Sequence, residues 1–216
     1  MASRTVPLVI AVDGPAASGK GTIAKALARH YDLPHMDTGL LYRAVALSLF
    51  RFGGDAASEF EALRAVDGLA QIDMGDEELR SEVVGSLASR ISAYPAVRAA
   101  LLQRQRQFAA QDGGAVLDGR DIGTVIAPNA TAKLFVTASA EVRARRRLAE
   151  LEGRGMPAHY DDVLLDIRAR DARDAGRDSA PLVQADDADL LDTSELGVDA
   201  AIAAAIALVD ARLAIA

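Results

Sequence analysis

The chain is expected to fold as an α/β protein, with a parallel β-sheet covered by helices on both faces. Three observations predict this. Short apolar runs that read as strands alternate with stretches of helical period, the pattern that builds a parallel sheet. A glycine-rich loop, Gly14 to Thr22, joins the first such run to the first helical stretch. A charged turn, Asp118-Gly119-Arg120-Asp121, follows a later strand, and open α/β sheets bind ligands at strand C-termini.

The elements follow in order. Val6 to Val12 is the first strand, and Ile23 to Ala28 belongs to the first helix. The stretch from Asp32 to Asp37 has room for only a brief strand. Thr38-Gly39 opens a helix with apolar residues at Leu41, Val45, Leu49 and Phe52, a period near 3.6, and Gly53-Gly54 ends it. Residues 55–93 are the least legible. There Phe60 to Leu69 looks helical, Gln71 to Met74 suits a short strand, Gly75-Asp76 a turn, and Leu79 to Ile91 another helix.

Pro95, with its fixed φ, starts a helix carrying Val97, Leu101, Leu102 and Phe108 that ends at Asp112-Gly113-Gly114. Ala115 to Leu117 and Lys133 to Val136 are strands. Glu141 to Leu151 is an arginine-rich helix. The segment Gly153-Arg154-Gly155-Met156-Pro157 breaks it, and Asp161 to Arg173 is a second arginine-bearing helix. Leu190-Leu191 is the last strand, and Ile202, Ile206, Val209 and Leu213 mark the last helix.

Composition narrows the function. The 216 residues allow one large domain with an insertion, and half of them are apolar, enough for a sizeable core. Aromatics are few, so that core is built from Ala, Leu, Val and Ile. A net charge of −7 argues against a general nucleic-acid binder. Without cysteine there is neither disulfide nor thiolate chemistry. His30, His35 and His159 lack metal-ligand spacing, so no zinc site is expected. No apolar run is long enough to span a membrane, and the N-terminus has no signal-peptide pattern. A cytoplasmic protein that binds neither membrane nor nucleic acid is expected, acting as a monomer.

The chemistry begins at Gly14-Pro15-Ala16-Ala17-Ser18-Gly19-Lys20-Gly21-Thr22, which reads as a phosphate-binding loop (P-loop). Its backbone N–H groups make an anion-sized nest, and the following helix adds unpaired donors and the positive end of its dipole. Lys20 reaches the outer phosphates as a mobile point charge. The general pattern has Ser or Thr directly after the lysine, on magnesium. Here Gly21 takes that place and Thr22 follows, a form associated with nucleoside monophosphate kinases.

A kinase for a small phosphorylated acceptor needs a second cationic site, and arginine's planar fork suits phosphate. Arg43, Arg98, Arg120, Arg170, Arg173 and Arg177 are the candidates, with Arg173 left unassigned. Arg104, Arg106, Arg143 and Arg145 read as solvated helix faces. Asp118 either holds magnesium or its waters, as Walker-B acids do, or caps the following turn.

These motifs together resemble the bacterial cytidylate kinases over nearly the whole chain. They are the phosphate loop, Asp37-Thr38-Gly39-Leu40-Leu41-Tyr42-Arg43, Asp118-Gly119-Arg120-Asp121-Ile122-Gly123-Thr124, Arg170 to Arg177 and Ala180-Pro181-Leu182. Asp-Gly-Arg-Asp-Ile-Gly-Thr is the most specific, since adenylate kinases carry Asp-Gly-Phe-Pro-Arg there. The resemblance implies a sheet of about five strands, a mobile lid and a small acceptor-binding insertion. On this basis 1–216 is expected to be a single P-loop kinase domain. Its core would be about 1–54, 94–149 and 178–216, its insertion about 55–93 and its lid about 150–177. The family's β-rich insert is shortened here to about Gln71 to Glu78, so its fold is left open.

The implied reaction is transfer of the γ-phosphate of ATP to CMP, and to dCMP, with Mg²⁺ held by Thr22 and Asp118 directly or through water. Lys20, Arg120 and Arg170 would be catalytic. The resemblance assigns Thr38, Ser89, Arg98, Asp121 and Arg177 to the cytosine. Arg43 and Arg120 are assigned to the acceptor phosphate, and Arg170 and Asp174 to the ribose and the transferring phosphates. For Asp121 the alternative is a carboxylate that stabilises its own turn beside Arg120. Two other functions stay open: a kinase for UMP, AMP or shikimate, and a nucleotide-binding module without catalysis. Gly21 argues against the shikimate kinases, which have Ser or Thr there, and the paired arginine sites argue against the module.

Overall fold

The computed structural model describes residues 7–214, so Val6 of the first expected strand lies outside the described residues. The chain divides into two compact units, residues 1–36 with 109–216, and residues 37–108. The expected insertion, 55–93, falls within the second.

The first unit is built on a five-stranded parallel sheet with helices on both faces. Its strands are β1 (Leu8–Asp13), β2 (His35–Asp37), β3 (Gly114–Gly119), β4 (Ala132–Thr137) and β5 (Asp189–Asp192), in the order β2-β3-β1-β4-β5. Asp37, the last residue of β2, opens the second unit. β1 is central, which explains why Leu8 to Val12 is an unbroken apolar run. It pairs with β3 from Leu8↔Gly114 to Asp13↔Gly119, and with β4 from Ile10↔Ala132 to Asp13↔Phe135. The C-terminal ends of β1 and β3 are therefore level, and the phosphate loop and the Arg120 turn leave the sheet side by side. Gly114 opens β3 with φ 104°, and a Cβ there would lie 2.0 Å from the carbonyl oxygen of Leu8. Only glycine allows that approach.

Helices α1 (Lys20–Tyr31) and α8 (Val198–Leu213) share one core with the sheet. Ile10, Val12, Val116, Leu134, Val136 and Leu191 meet Ile23 and Leu27 of α1 and Ala201, Ala205 and Val209 of α8. Each fully buried aliphatic side chain of this kind contributes about 1.5–3 kcal/mol. The expected stripe on α8 is rotated slightly. Its alanines let the helix approach closely, so Ala201 and Ala205 join Val209 in the core, while Ile202, Ile206 and Leu213 flank it half-buried. Helices α6 (Ala140–Gly153) and α7 (Tyr160–Ala175) pack together through Ala144, Leu151, Val163 and Ile167. Gly155, at φ 69°, lies in the break between them.

The second unit is helical: α2 (Thr38–Arg51), α3 (Glu59–Arg64), α4 (Glu82–Ile91) and α5 (Pro95–Ala109), the last running one residue into the first unit. Asp37 caps α2 by accepting from the Leu40 N–H, and Leu41, Val45 and Leu49 are buried. Phe52, expected on the same stripe, lies past the helix end and is 72% exposed.

The least legible stretch differs most from expectation. The helix expected over Phe60 to Leu69 is α3 followed by 3₁₀ structure from Ala65 to Gln71. Gly68 packs so tightly there that a Cβ would lie 2.3 Å from Ser48 Oγ. No strand forms over Gln71 to Met74. Asp73 instead accepts from the Gly75 N–H and makes a local turn that competes with extended pairing. The helix expected over Leu79 to Ile91 is broken, because Ser81, in extended backbone, ends a 3₁₀ turn (Glu77–Arg80) and caps α4 through the Val84 N–H.

Candidate active site

The phosphate loop leaves the C-terminal end of β1. Gly14 stands against the main chain of β4, where a Cβ would lie 2.0 Å from the Val136 carbonyl oxygen. Ala17 at φ 58° and Gly19 at φ 91° wrap the loop into left-handed conformations. Gly19 precedes α1, whose first turn has no side-chain cap and no acidic residue, so its dipole faces the loop uncompensated. Lys20 is half-buried, with Nζ 3.3 Å from the Pro15 carbonyl oxygen, folded back over the loop. Ser18 is fully buried and its Oγ has no hydrogen-bond partner. A bound phosphate oxygen would supply one.

The neighbouring turn carries Arg120 and Asp121. Arg120 Nε donates to Asp174 Oδ2 at 2.7 Å, and Arg177 pairs with Asp174 Oδ1. Asp174 is 1% exposed. Burial opposes its ionisation most strongly, but the charges of Arg120 and Arg177, the Arg120 hydrogen bond and the Arg170 charge outweigh burial and hold its pKa below the ordinary carboxylate value. Arg120, Asp174, Arg177 and Arg170 thus form one charged group, next in the sheet to the lysine of the phosphate loop. Arg173 is exposed on α7.

Asp121 is buried, and its side chain does not cap the turn it heads. Its carbonyl oxygen accepts from the N–H groups of Val125 and Ile126. The first two N–H groups of that π-helical turn, Ile122 and Gly123, are held by Asp13 at 2.8 and 2.7 Å. Burial pushes Asp13 up to about 6 against the lowering effect of these two hydrogen bonds. Asp121 adds to the rise and Lys20 reduces it.

Asp118 is buried at the end of β3. Its Oδ1 lies 2.7 Å from His35 Nε2, and its Oδ2 lies 3.7 Å from where a Cβ on Gly21 would be. His35 thereby pairs with one oxygen, and the other lies beside the first turn of α1. Mg²⁺ keeps several waters and takes only one or two carboxylates plus substrate phosphates. Among the described residues no cluster of three or more His, Cys, Asp or Glu side chains could enclose a metal, and a single carboxylate beside the first turn of α1 fits a largely hydrated Mg²⁺.

In the second unit, Arg43 Nη1 donates to the carbonyl oxygens of Leu79 (2.8 Å) and Ser81 (3.3 Å) at the entrance to α4. Gly85 makes room for it, since a Cβ there would be 2.8 Å from Arg43 Nη2. Arg98 Nη1 donates to the Ser92 carbonyl oxygen, and its guanidinium lies 5.8 Å from the centre of the Tyr42 ring. Thr38, on α2, and Ser89, on α4, are buried.

Two arginines of α6 have roles that the sequence does not announce. Arg143, expected on a solvated face, is 5% exposed. Its guanidinium donates to the carbonyl oxygens of Ala138 and Ala16 and pairs with Asp171, tying the phosphate loop to α6 and α7. Arg146 donates to the Ser18 carbonyl oxygen and to Thr193. No local signal separates these two from their neighbours, Arg145, which is exposed, and Arg147, which is half-buried and pairs with Glu150. Asp13, in contrast, announces itself by ending an apolar strand directly before the loop.

The cytidylate kinase family model matches residues 10–211. The cytidylate kinase of Xanthobacter autotrophicus is 60% identical over 209 residues, covering 96% of this chain and 99% of the relative. That of a Methylobacterium species is 59% identical over 205 residues, with 95% and 98% covered. That of Rhodopseudomonas palustris is 55% identical over 204 residues, with 94% and 96% covered. A solved structure, an uncharacterized protein from Eubacterium ventriosum, superposes with TM-score 0.55 at 16% identity over 94% of this chain and 98% of its own, a likeness of fold. No helix among the described residues is long and apolar enough to cross a membrane. With a phosphate loop at one strand end, an arginine group at the next, and relatives matched end to end, the chain belongs to the cytidylate kinase family.

Proposed function

We propose that the protein transfers the γ-phosphate of ATP to CMP, and also to dCMP. The observation that carries this reading is the pair of cationic sites at the ends of adjacent strands. Lys20 with the phosphate loop serves the donor, and the Arg120–Asp174–Arg177 group serves acceptor and transferred phosphate.

Phosphoryl transfer leaves little covalent work for the protein, so positioning and charge neutralisation carry catalysis. Gly14 to Thr22 cradle the ATP phosphates, and Lys20 follows the charge on the transferring group. Arg120 and Arg170 stabilise that charge, and Asp174 lies near the ribose. Mg²⁺, held through Thr22 and Asp118 and their waters, would neutralise phosphate charge when bound. His35 keeps the Asp118 carboxylate turned for this.

In the second unit, Arg43 is assigned to the acceptor phosphate, and Thr38, Ser89 and Arg98 to the cytosine. In the first unit, Asp121 and Arg177 are assigned to the cytosine and Arg120 to the acceptor phosphate. The turn-holding alternative for Asp121 is weakened because Asp13 does that capping. Residues 150–177 act as a lid that closes on substrate and excludes water.

An acceptor panel tests the reading. CMP and dCMP should give ADP and the diphosphate in equal amounts, with kcat/KM well above that for UMP, AMP and shikimate. A higher value for UMP or AMP would replace CMP as the acceptor.

A further inference from the structure

We propose that Asp13 is a positioning residue for the acceptor, holding the Arg120–Asp121 turn in register with the phosphate loop. This rests on the reading of Arg120 and Asp121 as CMP contacts. Asp13 ends β1 immediately before Gly14 and is 5% exposed. Its two carboxylate oxygens are used separately. Oδ1 accepts from the Ile122 N–H at 2.8 Å and Oδ2 from the Gly123 N–H at 2.7 Å. Those N–H groups open the π-helical turn Ile122–Ile126, so they have no partner within it. Asp121 heads the turn but caps it only with its carbonyl oxygen, not with its carboxylate. The capping carboxylate comes instead from 109 residues earlier in the chain.

The clamp is closely fitted. A Cβ on Gly123 would lie 3.4 Å from Asp13 Oδ2 and 3.1 Å from Lys133 Cδ, so the glycine lets the turn settle onto the carboxylate. β1 and β3 already align Asp13 with Gly119. The side chain carries that alignment past the sheet to residues 122 and 123, with Arg120 and Asp121 held between the two attachments. Asp121 and Lys20 are the charged groups that act on Asp13. Its role is thus to fix the main chain of a turn whose side chains touch substrate, without touching substrate itself.

Asp13→Asn keeps the shape but sets an amide NH₂ against one of the two N–H groups. The variant should lose at least tenfold in kcat/KM for CMP, while KM for ATP stays within about twofold. Its Ile122 and Gly123 amides should exchange faster than those of neighbouring β3. A kcat/KM for CMP within threefold of wild type would overturn the proposal. So would KM values for ATP and CMP that rise together, which would mean a general loosening. If wild-type protein fails to phosphorylate CMP, the functional reading falls first, and the amide exchange still reports on the clamp. Should the variant not fold, wild-type NMR decides: the Ile122 and Gly123 amides and the Arg120 Nε should follow the Asp13 carboxyl with one midpoint. An Arg120 signal that ignores that midpoint would overturn the positioning role.

Discussion

Asp174 accepts a hydrogen bond from Arg120 Nε at 2.7 Å, joining the last turn of α7 to the loop after β3 across 54 residues of sequence. Arg177 holds the other carboxylate oxygen, so one buried carboxylate neutralises two arginines that the substrate is expected to use, Arg120 at the acceptor phosphate and Arg177 at the cytosine. Removing it leaves buried positive charge without its partner. Asp174→Asn should therefore lose about 3 kcal/mol of stability, the low end for breaking a buried pair. Inorganic phosphate should raise the Tm of the variant more than that of wild type. Equal stability in urea, or an equal response to phosphate, would show that the pair contributes little.

The two buried carboxylates act oppositely on stability as pH changes. Asp174 has its folded pKa below the ordinary 3.8, so its contribution is full above that value and disappears as pH falls through the folded pKa. Asp13 has its folded pKa raised from 3.8 to about 6, so its contribution is full below 3.8 and is lost as pH rises through about 6. The difference between those two values corresponds to roughly 3 kcal/mol. Wild type compared with Asp13→Asn by urea unfolding at pH 4.5, 5.5 and 7 should lose stability relative to the variant as pH rises. Parallel pH profiles would contradict the raised pKa.

Base selection should depend on Asp121. Its carboxylate can accept from the exocyclic amine of cytosine, where the carbonyl of uracil would be repelled. A charge-assisted hydrogen bond is worth about 1.5–3 kcal/mol, so Asp121→Ala should lower the CMP-to-UMP ratio of kcat/KM on the order of ten- to a hundredfold. Equal losses for both acceptors would return Asp121 to a structural role.

Much of this arrangement is legible in the sequence because it is local. The unbroken apolar run of β1, the glycine pattern of the loop, the Pro95 start of α5 and the Asp-Gly-Arg-Asp turn each depend on residues near one another in the chain. The burial of Arg143 is not legible because it depends on Ala16 and Asp171, far from it in sequence. Its arginine-rich surroundings look the same whether the side chain faces water or the loop. The stretch around Asp73 and Ser81 departs from its sequence pattern for a related reason. Side chain to backbone capping there overrides short apolar runs that suit a strand or a longer helix. Asp13 was visible as a residue but not as a clamp, since its partners lie about a hundred residues away.

The segment between α6 and α7 should become ordered on binding. Gly153, Gly155 and Pro157 interrupt helix there, and Arg147 and Arg154 are paired to Glu150 on the preceding turn. Hydrogen exchange with ATP plus CMP should show new protection from about residue 150 to 160. Identical exchange with and without both ligands would leave no support for a closing lid.

The central claim is that Lys20 and the arginine group serve two phosphates of one transfer reaction. Its most direct test is phosphorus NMR of ATP and CMP mixed with wild-type protein and with Lys20→Ala. The account predicts that ADP and CDP rise together, one for one, with wild type. It also predicts that both nearly vanish in a variant whose Tm is little changed. ADP accumulating without CDP, or transfer to CMP near the wild-type rate in Lys20→Ala, would contradict it.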